Sequence, residues 1–83
     1  MSTEQPHATG LNGAVVRQVR AERAASGLTV DALAAASGIP ARTLVRYLNF
    51  ERAIDLGNVE KLAHGLGLTV EQLLTRATTE RQG

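Results

Sequence analysis

Three residues, Gly38-Ile39-Pro40, constrain this chain more than any others. They separate two stretches with helical apolar spacing, residues 30–37 and 40–49. Glycine takes a positive φ without strain, so Gly38 suits the end of the first stretch. Proline has a fixed φ and lacks the N–H that a helix start leaves unpaired, so Pro40 suits the beginning of the second. A connection of about three residues forces two helices to cross steeply. Whatever else the chain does, it must cover the apolar faces of that crossed pair.

The rest of the chain supplies three more helices. Residues 13–26 place Val15, Val16, Val19 and Ala24 on one side and Arg17, Arg20 and Arg23 elsewhere, with Gly27 as the stop. Thr29 is an N-cap for residues 30–37, and Asp31 in the first turn complements the helix dipole. Leu33, Ala34 and Ala36 are the apolar members of that helix. Ile39, Leu44, Tyr47 and Leu48 form the inward stripe of the next. Asp55 caps a fourth helix, with Leu56, Val59, Leu62, Ala63 and Leu66 inward and Gly67 as its stop. Thr69-Val70-Glu71-Gln72 is a capping box that opens a fifth helix bearing Val70, Leu73, Leu74 and Ala77. Residues 1–12 and 78–83 carry no apolar period and read as flexible tails around a domain at 13–77.

Composition supports helices and excludes much else. Of 36 apolar residues, thirteen are Ala, eleven Leu, seven Val and two Ile. Close-packed helices use such a mixture, whereas a β-sandwich draws on β-branched and aromatic residues. Eighty-three residues allow one small domain with a thin core, burying about 60% of the unfolded surface. Without cysteine there is no disulfide framework, thiolate metal site or thiol nucleophile, and a reducing compartment is expected. No apolar run approaches the roughly 20 residues of a membrane span, and residues 1–13 lack the pattern of a signal peptide.

Residues 28–47, reading LTVDALAAASGIPARTLVRY, resemble the helix-turn-helix of Cro- and lambda-repressor-like (Xre-type) DNA-binding domains. Residues 62–74, LAHGLGLTVEQLL, resemble the closing helix pair of the same family, so the likeness spans about 15–74. It implies an all-α, compact five-helix lambda-repressor-like domain. It also implies a sequence-specific, double-stranded-DNA-binding transcriptional regulator, such as a small phage, prophage or bacterial repressor. Several positions depart from the family pattern. Val30 replaces a Gln that contacts DNA backbone, Ser37 an apolar residue, and Pro40 a capping Ser or Thr. Leu48 replaces a Glu that pairs with an arginine at the position of Arg23, and Phe50 replaces a Gly.

A helix in the major groove offers its outward N-terminal residues to base edges. Here these are Ala41, Arg42, Val45 and Arg46, which coincide with or flank the family's reading positions. Arg42 and Arg46, four apart, share one face. Arginine suits the O6/N7 pair of guanine, at about 1–3 kcal/mol of discrimination, while Ala41 and Val45 suit thymine methyls. Phosphate contacts are assigned to Thr29, Thr43, Asn49, Arg52, Arg20 and Arg23. For Arg23 three roles remain open: phosphate, Glu51, or solvent. Phe50 either closes the core or meets a partner. Leu68, Val70, Leu73, Leu74 and Ala77 are either core closure or the surface of a homodimer reading an inverted repeat.

Other classes find little support. His7 and His64 are too few and too distant for a metal site, and no catalytic constellation or phosphate loop stands out. No enzyme activity, cofactor, metal, membrane contact or small-molecule ligand is expected, and the expected location is the bacterial cytoplasm. Two alternatives to the repressor are a DNA-binding antitoxin and an interaction module that kept the fold without DNA. The formal charge of +1 motivates the latter, but it conceals a division. Residues 17–52 carry six arginines against Glu22, Asp31 and Glu51, a net of +3, and the remainder carries a net of −2. A field this modest implies weak non-specific binding, leaving base contacts and dimerisation to supply affinity.

Overall fold

Three helix starts are made by the side chains expected to cap them. In the computed structural model, which describes the backbone of residues 6–82 and the side chains of 6–79, the Thr29 hydroxyl accepts from the Ala32 N–H at 3.0 Å. That opens α2, Val30–Ser37. The Asp55 carboxylate accepts from the Asn58 N–H at 2.8 Å and opens α4, Leu56–Gly65. Thr69 and Gln72 form the reciprocal capping box at 3.0 and 2.9 Å, opening α5, Val70–Gln82. α1 is Gly10–Ser26 and α3 is Ala41–Leu48. Gly27, Gly38 and Gly67 all lie in the left-handed region, with φ of 74°, 76° and 77°. At Gly38 this lets its own N–H and that of Ile39 both bond the Ala34 carbonyl, ending α2 in a tight turn.

The core is one continuous cluster. Val15, Val16 and Val19 of α1 meet Leu33 and Ala34 of α2, Ile39 of the turn, and Leu44, Tyr47 and Leu48 of α3. Val59, Leu62 and Ala63 of α4 and Leu73 and Ala77 of α5 complete it. α5 packs on α1, and α2 packs on both α3 and α4. The radius of gyration is 12.0 Å, matching the roughly 12 Å expected of a folded domain this long. Two small residues permit the closest approaches. Ala34 sits buried where α2 is crossed. At Gly65 an added Cβ would lie 3.0 Å from the Ser37 backbone nitrogen, so α4 ends against the end of α2 only because Gly65 has no side chain.

Several boundaries and faces differ from the sequence expectation. α1 begins at Gly10 rather than 13, and a 3-10 turn, Pro6–Ala8, precedes it. That turn is tied down. Asn12 donates to the His7 carbonyl at 2.6 Å, and Arg17 donates to the Ala8 carbonyl at 2.9 Å. Asn12 also accepts from the Ile54 N–H at 2.9 Å, joining α1 to the loop before α4. The part of the N-terminal tail at residues 1–5, and residue 83, lie outside the described residues. α5 continues to Gln82, through most of the segment read as a C-terminal tail. Helices extended where the sequence carries no apolar period because backbone hydrogen bonding does not require one. Pro40 is a cap with ψ of 139°, so the helix starts one residue later. Ala24 and Ala36 are exposed, and Ser37 takes the buried place, its hydroxyl donating to the Ala34 carbonyl at 3.3 Å. Leu56, expected inside, is 81% exposed. It lies on the periodic face of α4, but as the first residue of the helix it extends past the elements that cover Val59.

Candidate nucleic-acid interface

α3 owes its orientation to four apolar residues. Ile39, Leu44, Tyr47 and Leu48 are all buried, and the Tyr47 hydroxyl accepts from the Asn58 amide at 2.7 Å, fixing α3 to α4. With that stripe inward, the helix must turn Arg42, Val45 and Arg46 outward, and all three are exposed. Ala41 is half-buried beside them. The side chains of Arg42 and Arg46 make no hydrogen bond or ion pair among the described residues. Val45 is 43% exposed, unusual for a β-branched apolar side chain at a helix centre. Two unpaired guanidiniums with an apolar residue between them form a surface suited to a polar edge that also carries methyl groups.

The flanking positions differ in exposure and in what their side chains already hold. Thr29, Asn49 and Arg52 are exposed around α3 and Thr43 is half-buried. Arg52 has no described ion-pair partner. The Thr29 oxygen is used in capping, which leaves its O–H to donate outward. Arg20 is engaged. It donates to the Leu48 carbonyl at 3.2 Å and its guanidinium lies 5.6 Å from the centre of the Phe50 ring. It therefore holds the C-terminal end of α3, where a cation also complements the dipole. Phe50 itself stands at φ of 60°, packed against the core, in the backbone conformation that a glycine there would adopt freely. The sequence signal for this was the aromatic residue in the family's glycine position; the arginine beneath it had none.

Among the described residues Arg23 makes no ion pair with Glu51, and it is not simply solvated. It is half-buried and donates to the Leu28 carbonyl at 2.9 Å, tying α1 to the loop before α2. Its Nε is buried without a hydrogen-bond partner. A cleft of about 200 Å³ opens nearby between α1, α2 and α3, lined by Arg20, Arg23, Val30, Val45, Leu48 and Asn49. Its lining holds two arginines and no acidic side chain. Leu48 lines the same cleft and has no side-chain acceptor where the family pattern carries a carboxylate.

The proposed dimer residues on α5 need correction. Leu73 and Ala77 are 0% and 1% exposed and belong to the core, where α5 closes over α1. They cannot form an outer surface. Leu68, Val70 and Leu74 are half-buried against the same core. On the far side, Arg76 of α5 pairs with Glu22 of α1 at 2.8 Å, and Gln18 donates to the same carboxylate oxygen at 2.8 Å. The Arg76 hydrogen bond is the main cause holding the Glu22 carboxyl below its ordinary range, partly opposed by burial. His7 and His64 join no group of three metal-ligating side chains among the described residues.

No helix is long and apolar enough to cross a membrane among the described residues. No curated protein matches the chain. Among solved structures, the chain is similar to the clp gene regulator ClgR from Corynebacterium glutamicum, with a TM-score of 0.77 and 25% identity. The match covers 90% of this chain and 79% of that one. A helix-turn-helix family model matches residues 19–73, from α1 into α5, spanning the crossed pair and its outward arginines. The chain belongs to the helix-turn-helix family, of the Cro/C1-type, Xre-like kind.

Proposed function

We propose that this chain is a sequence-specific, double-stranded-DNA-binding transcriptional regulator that reads the major groove with α3 and acts as a small repressor. One observation carries the reading: Arg42, Val45 and Arg46 point outward and unpaired from a helix whose opposite face is anchored in the core. In a groove, Arg42 and Arg46 would each address a guanine edge, and Ala41 and Val45 thymine methyls. Thr29, Thr43, Asn49 and Arg52 would fix the register on phosphates. Arg20 and Arg23 would act mainly by placing α3 and the start of α2, since both spend a donor on backbone carbonyls. Two copies on an inverted repeat, spaced about one helical turn or 34 Å, would double the contact set. The reading implies work in the cytoplasm, on the chromosome or a prophage within it.

Titration against promoter fragments from the chain's own locus, at two salt concentrations, tests this. Specific binding should weaken steeply with salt, with a slope of about −0.9 per phosphate neutralised. No retention of any native fragment at low salt would contradict it and favour an interaction role without DNA.

A further inference from the structure

Val45 lies between Arg42 and Arg46 on the outward side of α3 and is 43% exposed. A β-branched side chain in a helix keeps essentially one χ1 rotamer, so Val45 presents its methyl groups at a fixed place. Val30, the first residue of α2, lines the same cleft, together with Leu48. Aliphatic side chains from two helices therefore border the arginines of α3. None of them can donate or accept a hydrogen bond. The glutamine of the family pattern at the start of α2 could tell a base-edge donor from an acceptor. Val30 and Val45 can register only whether an apolar group is present.

In the major groove the apolar group on offer is the 5-methyl of a pyrimidine. Thymine always carries it, and cytosine carries it once methylated at C5. The two bases differ beside the methyl: O4 of thymine accepts a hydrogen bond, whereas N4 of cytosine donates one. We propose that Val45, backed by Val30, reads the 5-methyl group of a pyrimidine without distinguishing thymine from 5-methylcytosine. Cytosine methylation at that base of the operator then strengthens binding of this protein. This role depends on α3 reading DNA, and it adds a chemical modification of that DNA as a control on the same site. The arginines set where the methyl lies. Residues three apart on a helix have Cβ atoms about 5–6 Å apart, and successive bases of a strand rise about 3.4 Å. With Arg42 or Arg46 on a guanine edge, Val45 falls on the pyrimidine next to that guanine or one beyond it. A cytosine beside guanine is within that reach. Burying one methyl group changes affinity about fourfold at each contacted base. In a molecule whose net charge is only +1, specific affinity rests on few contacts, so one methyl is a measurable share of it.

Competition titrations of the full chain on its specific fragment, at one salt concentration, test the proposal. Each thymine is replaced in turn by deoxyuridine, which removes the methyl and nothing else, and each cytosine in turn by 5-methylcytosine. At one position or more, the form with the methyl should bind about fourfold more tightly. At that base pair the other pyrimidine, tested with and without its methyl, should show the same difference. Val45→Ala should keep the wild-type circular dichroism, because Val45 is exposed, and should erase the preference for the methyl. Indifference to the methyl at every position would overturn the inference. So would a preference confined to thymine, or one that Val45→Ala retains. In each of those results the fragment is still bound specifically, and the DNA-binding reading stands. Failure to bind any fragment would remove both.

Discussion

At the scale of single residues, the molecule spends its arginines in two ways. Arg17, Arg20, Arg23 and Arg76 are tied to carbonyls or to Glu22, while Arg42, Arg46 and Arg52 face outward without a described partner. The sequence distinguishes the two groups only in part. Position on α3 identified Arg42 and Arg46. Nothing in the spacing of Arg20 or Arg23 tells whether a carbonyl lies within reach, because the acceptors belong to residues 5 and 28 positions away. The Glu22–Arg76 pair, 54 residues apart, was equally hidden. It makes a prediction about acid. A carboxyl held below its ordinary range favours the folded state above the unfolded value and loses that contribution as pH falls through the folded one. The melting temperature of Arg76→Ala should lie below wild type near neutral pH, and the two should converge as acid protonates Glu22, below the ordinary carboxylate range. A difference that stays constant into acid would show that the pair does not stabilise through charge.

At the scale of elements, the capped starts of α2, α4 and α5 and the glycine stops of α1 and α2 were legible, whereas the start of α1 and the end of α5 were not. Thr29, Asp55 and Thr69 each act through a local bond three residues on, so the signal lies wholly within the segment. Replacing Thr29 by Ala should lower stability by about 1 kcal/mol, measured by urea unfolding, because it strands the Ala32 N–H at the head of α2. No change would mean that water caps the helix as well. Which face of a helix is covered, by contrast, depends on what lies opposite. Periodicity placed Leu56 inside and gave no signal at Gly65. Structure shows Leu56 at an uncovered edge and Gly65 at the closest approach of α4 to α2. Gly65→Ala should therefore destabilise by about 1–2 kcal/mol. Overpacking against the Ser37 backbone outweighs the gain of up to about 1 kcal/mol in helix propensity, which is reduced at the last residue of a helix. A stabilised variant would show that the two helices separate freely.

For the whole molecule, the near-neutral total charge and the DNA-binding reading are compatible because charge is segregated. The basic part contains the crossed helices, and the Glu60, His64 and Glu71 side faces a different, polar pocket. Such a molecule gains little from long-range attraction and depends on a few well-placed contacts. The fold was largely legible since one tight turn and three caps leave few ways to pack five short helices. The exposure of Leu56 was not, because a surface left uncovered is encoded by no local pattern. The central claim is that the outward face of α3 reads DNA, and one comparison tests it most directly. Arg42→Ala, Arg46→Ala and Arg76→Ala should be titrated against the same specific fragment at one salt concentration, each first shown to be folded. The account predicts that the two α3 variants each lose about 1–3 kcal/mol of specific affinity, five- to about 150-fold, while Arg76→Ala binds nearly as wild type. Equal losses in all three, or none at Arg42 and Arg46, would contradict it.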